Sequence, residues 1–462
     1  MLGMETGFGD AGGSRPSART GRGTATALGL VFGCGLALQI ASAAPAPVDG
    51  VSSRTSSTEK GSLLVFPDIE IKWDAAGRLI QDTVVTLHND YPADVDVKVY
   101  FVNGDEPLEE VFIGFPIMRL DEAEPGWNTA DCRFQLTSKQ PTYWSAANGR
   151  NGVCQSFGVL DPPALFDLPG RPDPETNGET RVLRGFMIAF AIGLRDVAMS
   201  PYPDPIAADN WPPVQIWQEI NWNHLSGSAM VVNYQDSAVF EYGAYAFSAN
   251  KSNRGEPTDE YPGRLLLDGF EYEHVFDQLL LDFYAPGSTT LSRRAGAGPG
   301  IVPVSLDTDL TLLPMWIDVR QDNEGPFTVK AEVEIFNQNE SKFSGTRKCI
   351  TCWNQTLLSE YVDEDSIPNH FVLTTLGTDK GQARITSVFS DECRGAFPNV
   401  AGVPEQPPIM LLSPGPFLGV TNKILSFNAG ERIEHAGTTL PGSGTRNGVI
   451  VYDVVIPPGG GE

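Results

Sequence analysis

Histidine is almost absent from this chain, and basic residues are few: there are five His among 462 residues, and 32 Lys plus Arg stand against 58 Asp plus Glu. There is no Gly-x-Ser-x-Gly elbow, no phosphate loop ending in Gly-Lys and no His-Glu-x-x-His pair. The local geometry that a serine hydrolase, a P-loop nucleotidase or a zinc protease needs is therefore written nowhere in the chain. A net charge of −26 repels phosphate backbones and anionic lipid heads, which excludes nucleic acid and a membrane surface as expected partners. What is abundant is 48 Gly, 36 Pro and 24 Phe, the composition of a turn-rich protein with a large core.

The first 43 residues read as a signal peptide. Arg15, Arg19 and Arg22 precede an uncharged stretch from Thr24 to Ile40, which ends in Ala41-Ser42-Ala43. That order is a basic region, an apolar region and a small-x-small cleavage site. A cut after Ala43 avoids placing Pro45 directly behind the scissile bond. Gly29, Gly33 and Gly35 dilute the apolar stretch, which argues against a membrane anchor. Export to the periplasm, the cell surface or the medium follows, with no membrane insertion after cleavage. The leader carries three Arg against Glu5 and Asp10, so the remaining 419 residues hold about −27.

Residues 44–61 are Pro, Ser, Thr and Gly without periodicity and read as a flexible tether. From Leu63 to Trp73 apolar and polar residues alternate, Ile69 and Ile71 against Asp68, Glu70 and Lys72, as in a strand with one buried face. Asp74-Ala75-Ala76-Gly77 predicts a turn, and strands follow at 84–87 and 95–102. Similar runs recur at 182–192, 214–222, 229–234, 239–247, 265–272 and 279–284. The stretch 285–303, with Arg293-Arg294 and a Gly/Ala/Pro run, reads as a linker. The expected architecture is all-β: two antiparallel β-sandwich domains, at 62–284 with long loops and at 304–462. Pro67 to Asn89 also aligns with Pro314 to Asn337 over a single gap, each copy a strand, an Asp-x-x-Gly turn and a strand closing on an Asn that caps the next turn.

Five cysteines follow the leader: Cys132, Cys154, Cys349, Cys352 and Cys393. In an exported protein disulfides are the default. Cys132 and Cys154 flank 21 residues with two Asn-Gly turns, the natural pair to pin an excursion. Among the other three, either Cys393 closes onto Cys349 or Cys352, or Cys349 and Cys352 bridge locally. Redox chemistry at this close pair is disfavoured because its surroundings read as β rather than as a helix N-terminus. Zinc on Cys349, Cys352, His370 and Cys393 is disfavoured because only half the set has ligand spacing. Calcium is left open at Asp94 with Asp96, Asp307 with Asp309, and Asp363-Glu364-Asp365, although none shows the spaced loop with a central Gly. No cofactor is otherwise expected.

Trp211, Trp217 and Trp222 lie close together among prolines, with Glu219 and His224 beside them. Indole rings stack on sugar faces, and the polar neighbours would supply hydrogen bonds. The competing reading makes Trp217 or Trp222 a core filler, with Trp211, flanked by prolines, exposed. The overall pattern resembles immunoglobulin-like extracellular modules at the level of class, which transfers no site. The expected function is non-catalytic binding or structure outside the cytoplasm, with a protein or glycan partner. The alternative is a carbohydrate-active hydrolase in which Glu219 serves as the acid of a carboxylate pair.

Overall fold

The computed structural model describes residues 60–104, 129–149, 171–173, 176, 178–197, 214–249, 267, 272–273, 275–276, 278–293, 300–315, 328–343, 345–351, 353–362, 368–388, 417–427 and 432–443. These form an almost all-β structure with antiparallel sheets, in which the one α-helix among the described residues is the single turn α1 (Leu373–Leu376). The expected signal peptide and nearly all of the tether lie outside the described residues. The tether's last residue, Gly61, already pairs with Leu225 in both directions, at 2.9 and 3.0 Å.

Eleven strands build the first sheet: β1 (Leu63–Asp74), β2 (Leu79–Asn89), β3 (Val95–Asn103), β4 (Thr129–Leu136), β5 (Pro141–Ser145), β6 (Arg171–Pro172), β7 (Thr180–Val197), β8 (Val214–Glu219), β9 (Leu225–Asn233), β10 (Ala238–Gly243) and β11 (Tyr245–Phe247). The main order is β10-β9-β2-β1-β7-β3-β4. The turn after β1 forms as its residues dictate. The Asp74 carboxylate accepts the amides of Ala76 and Arg78 at 2.9 Å, and Gly77 takes the positive φ of 76°.

Pro67 cannot donate to a ladder, and the β1–β7 register slips between Phe66 and Ile69. The freed groups find side chains instead. Tyr242 accepts the Asp68 amide at 3.1 Å and donates to the Asp68 carbonyl, while the Trp353 indole donates to the Pro67 carbonyl at 2.7 Å.

The second sheet contains β12 (Gln278–Tyr284), β15 (Thr328–Asn337), β16 (Thr346–Thr351), β18 (Lys380–Val388) and β21 (Gly442–Ser443). The third contains β13 (Gly287–Arg293), β14 (Gly300–Pro314), β17 (Asn354–Leu357), β19 (Phe417–Phe427) and β20 (Arg432–Thr439). The stretch read as a linker is therefore a correction. β13 and β14 pair from Gly287 with Leu306 to Arg293 with Gly300, because Thr289, Thr290, Leu291, Val302 and Val304 satisfy strand preferences that the Gly/Ala/Pro composition masked. The boundary at 285–303 falls with it, since β12 lies before that point yet pairs with β18 and β21.

Both faces of β1 are covered. Leu64, Phe66, Ile69 and Ile71 enter a cluster with Val85, Val97, Phe134 and Trp144, within which the first sheet folds back on itself. Phe134 on β4 meets Trp144 on β5 edge-on at 5.3 Å. Leu63 and Val65 enter a different cluster with Tyr245, Phe283, Leu312, Ile335 and Leu418, which draws on all three sheets. The expected pair of separately cored domains is thus a second correction: the described residues belong to one compact unit. β2 and β15 do share the predicted ending. Asn89 accepts the amide of Tyr91 at 3.2 Å, and Asn337 that of Asn339 at 3.0 Å. Most of the connecting stretch of the second copy, residues 316–327, lies outside the described residues.

Tyr245 joins the first sheet to the third. Its hydroxyl lies within hydrogen-bonding distance of the carbonyls of Gly419 and Leu440, at 2.8 and 2.7 Å, and accepts the Gly419 amide at 3.1 Å. Tyr245→Phe keeps the ring and leaves buried backbone groups unpaired, which costs about 1–3 kcal/mol. A urea titration should show a lowered midpoint; an unchanged midpoint would mean that the hydroxyl does not brace the sheets.

Candidate functional site

The residues singled out in the sequence separate in the structure. Trp217 stands on β8, 39% exposed, with the Arg133 guanidinium of β4 3.9 Å from its ring centre. It fills no core; that role belongs to Trp73, Trp144 and Trp353. Glu219, two residues on, points the same way along the strand but is 1% exposed, closed in beside Ile192 at the start of the β7–β8 ladder. Trp211, Cys154, Cys352, Cys393 and the acidic run 363–365 lie outside the described residues. Cys132 sits on β4 and Cys349 on β16.

Trp222 and His224 belong to a surface cluster that the Asn89-Asp90-Tyr91-Pro92 turn completes. The Trp222 indole donates to Asn89 at 3.2 Å. Tyr91 meets Trp222 edge-on at 4.8 Å and lies 4.5 Å from the His224 ring. His224 Nδ1 is 2.8 Å from Asp90, which Lys60 also contacts. Lys60, with His224 behind it, holds the Asp90 carboxyl below the usual carboxylate range. Asn223 is not a ligand group, because it is tied to Ser62 and to both backbone groups of Ala249. These bonds fix three partly exposed rings in one place.

A second feature was not foreseen. Between the first and third sheets lies a cavity of about 330 Å³. Its floor comes from β1 and β2, through Glu70, Lys72 and Gln81, and from β14, β17 and β19, through Asp309, Gln355 and Asn422. The alternation in β1 predicts that Asp68, Glu70 and Lys72 face solvent. Instead Asp68 and Glu70 are 2% and 5% exposed, because the third sheet covers that face. Lys72 bridges to Glu70 at 2.9 Å, and Gln81 donates to the other Glu70 oxygen. Gln355 donates to Asp309 Oδ2 at 2.7 Å.

His435 on β20 also lines the cavity, 2.9 Å from the Asn422 amide nitrogen and stacked at 6.3 Å on Phe240 of β10. Burial pushes its imidazole below 6.5, so it is neutral at physiological pH. Burial, reinforced by the charges of Glu70 and Asp309, drives Asp68 well above 3.8. Asp307, by contrast, binds the amides of Thr308 and Ser359, and Asp94 that of Ser138. Among the described residues no three His, Cys, Asp or Glu side chains converge to hold a metal ion. Of the acids at spacing two in β1 and β14, only Glu70 and Asp309 line this cavity.

No family model matches the chain, and no curated protein matches it. Three solved chains match. One, described as "Biofilm associated protein - BSP domain", is 8% identical with a TM-score of 0.14; the alignment covers 86% of this chain and spans 61% of the length of that one. At that TM-score nothing passes from it to this protein.

Asp68 generates a prediction whose sign is fixed. Its native carboxyl keeps a proton that the unfolded chain releases above 3.8, so stability falls as pH rises through the interval between the two values. Asp68→Asn removes that penalty. Thermal melts should find the variant more stable at pH 7, the gain vanishing as pH approaches 3.8. A variant less stable at pH 7 would show instead that Lys72 and Arg184 hold Asp68 ionised.

Proposed function

We propose that this chain is an exported, non-catalytic protein that acts outside the cytoplasm by binding a glycan or protein partner. In this reading residues 1–43 are a removed leader and the sheets form sandwich modules of the immunoglobulin-like class. The observation that carries the binding role is the braced ring set of Tyr91, Trp222 and His224. Its hydrogen bonds are made before any ligand arrives, so little ordering entropy remains to be lost on binding. Tyr91 is 40% exposed, and ring faces beside a carboxylate and an ammonium are the chemistry of sugar recognition.

The oxidising destination in this reading makes disulfides the expected state of the five cysteines that follow the leader. We pair Cys132 with Cys154, and Cys349 with Cys352 or Cys393. Non-reducing peptide mapping of the secreted protein should recover a peptide linking Cys132 to Cys154. Free thiols at those two positions would overturn the pairing.

A glycan array tests the binding role. Tyr91→Ala, at a surface turn, should fold normally and lose about tenfold in affinity, the worth of one aromatic contact. A parent protein that binds no glycan, or a variant that binds as well as the parent, would sink the glycan reading.

A further inference from the structure

We infer that the surface built by Arg133, Lys98, Leu194 and Trp217 docks a protein partner, through a segment that sets a carboxylate beside a large apolar side chain. This surface shares no residue with the Tyr91 ring set and goes beyond the role proposed there.

The apolar half follows from β7. On one face of that strand Phe190 and Ile192 are 2% and 5% exposed and belong to the core that draws on all three sheets. Residues two apart in a strand share a face, so Leu194 continues this one, yet Leu194 is 48% exposed. β8 sets Trp217 directly opposite Leu194 in the ladder, so the two stand side by side. The core face of β7 therefore runs on past the layers that cover it and ends in an exposed apolar pair.

The charged half follows from β4. Arg133 lies directly opposite Lys98 of β3, which the β3–β7 ladder places beside Phe190, so both cations stand on that same face. The Arg133 guanidinium lies over Trp217, 3.9 Å from the ring centre. Arg133 is exposed, and among the described residues it forms no hydrogen bond and no ion pair, in a chain of 58 acidic residues against 32 basic ones. Like charges facing across a ladder repel. Burial, and then the charge of Arg133, hold the Lys98 ammonium below the usual lysine range. A carboxylate seated here would satisfy the guanidinium fork in bidentate fashion and ease that repulsion.

The occupant is set by both halves together. Its charge is opposite to that of the patch, and it is compact, because a polyanion would meet the field of a chain with net charge −26. A sugar acid fits poorly. Sugars stack on an open ring face, whereas Arg133 covers a face of Trp217 and Leu194 offers no ring. An Asp or Glu next to a Leu or Phe in a protein segment engages both halves: the carboxylate meets Arg133, and the apolar side chain packs on Leu194 and the uncovered part of the indole. Trp and Arg are also the side chains that most often anchor protein interfaces.

Isothermal titration calorimetry on the purified full-length protein tests this, with end-capped hexapeptides in which Glu alternates with Leu and Phe. The Glu peptide should bind. A peptide with Gln for Glu, and one with Ser for Leu and Phe, should each bind at least about tenfold more weakly. Arg133→Gln and Leu194→Ser, both at exposed positions that tolerate substitution, should each weaken the Glu peptide by a similar factor. Tyr91→Ala should leave it unchanged, so that failure of this surface and failure of the ring set are told apart. No heat from the Glu peptide, equal binding of the Gln or the Ser peptide, full retention in Arg133→Gln or Leu194→Ser, loss in Tyr91→Ala, or tighter binding of an oligogalacturonate would each overturn the inference; the last would mean that a sugar acid is the occupant.

Discussion

Strand β1 has no solvent face, and the rest of the architecture answers that constraint. A central strand with one polar face is stable only if water or protein satisfies that face. Here protein does. The face carrying Asp68, Glu70 and Lys72 is roofed by the third sheet, and Lys72, Gln81 and Thr83 supply the bonds that solvent would have supplied. The apolar residues between them anchor the other side in the cluster with Val85 and Val97. Moving β1 in register by one residue would exchange these two faces and bury charge against hydrocarbon, so its position is strongly specified.

Three aromatic side chains then brace the strands by their polar tips, Tyr242 within the first sheet and Trp353 and Tyr245 between it and the others. Tyr242 and Trp353 take up the backbone groups that the Pro67 irregularity releases, and Tyr245 serves Gly419 and Leu440 across the junction. Each combines a large apolar body with a bond to main chain, so packing and direction come from the same residue. Such bonds do not depend on facing charges. That matters in a chain of net charge −26, in which attraction between surface charges is an unreliable adhesive.

Much of the strand pattern was legible because turns and alternation are local. The Asp74–Gly77 turn, the ends of β2 and β15 at Asn89 and Asn337, and the cores of β3, β7 and β12 all follow from near neighbours. What alternation cannot report is the environment of the polar face. Asp68 and Glu70 read as solvated because a strand beside water and a strand beside a polar cavity have the same sequence period. The stretch at 285–303 misled for the opposite reason: its Gly and Pro residues describe the ends of a hairpin, and the β-branched residues between them carry the pairing. The tryptophans were found, but which ring packs, which meets Arg133 and which meets Tyr91 depends on contacts more than forty residues apart.

The cavity lay beyond sequence reading for a further reason. Glu70, Gln81, Asp309, Gln355, Asn422 and His435 come from six strands in two sheets, and no two neighbours in that series are closer than eleven residues. A solvent-filled gap between sheets would need no such set, since water satisfies any lining. A packed junction would need none either, since apolar contact is the cheaper way to close it. Carboxylates held at the edge of a low-dielectric space cost stability unless they are paired. Here the Lys72–Glu70 ion pair and the amides of Gln81 and Gln355, which donate to Glu70 and Asp309, offset that cost from within the junction.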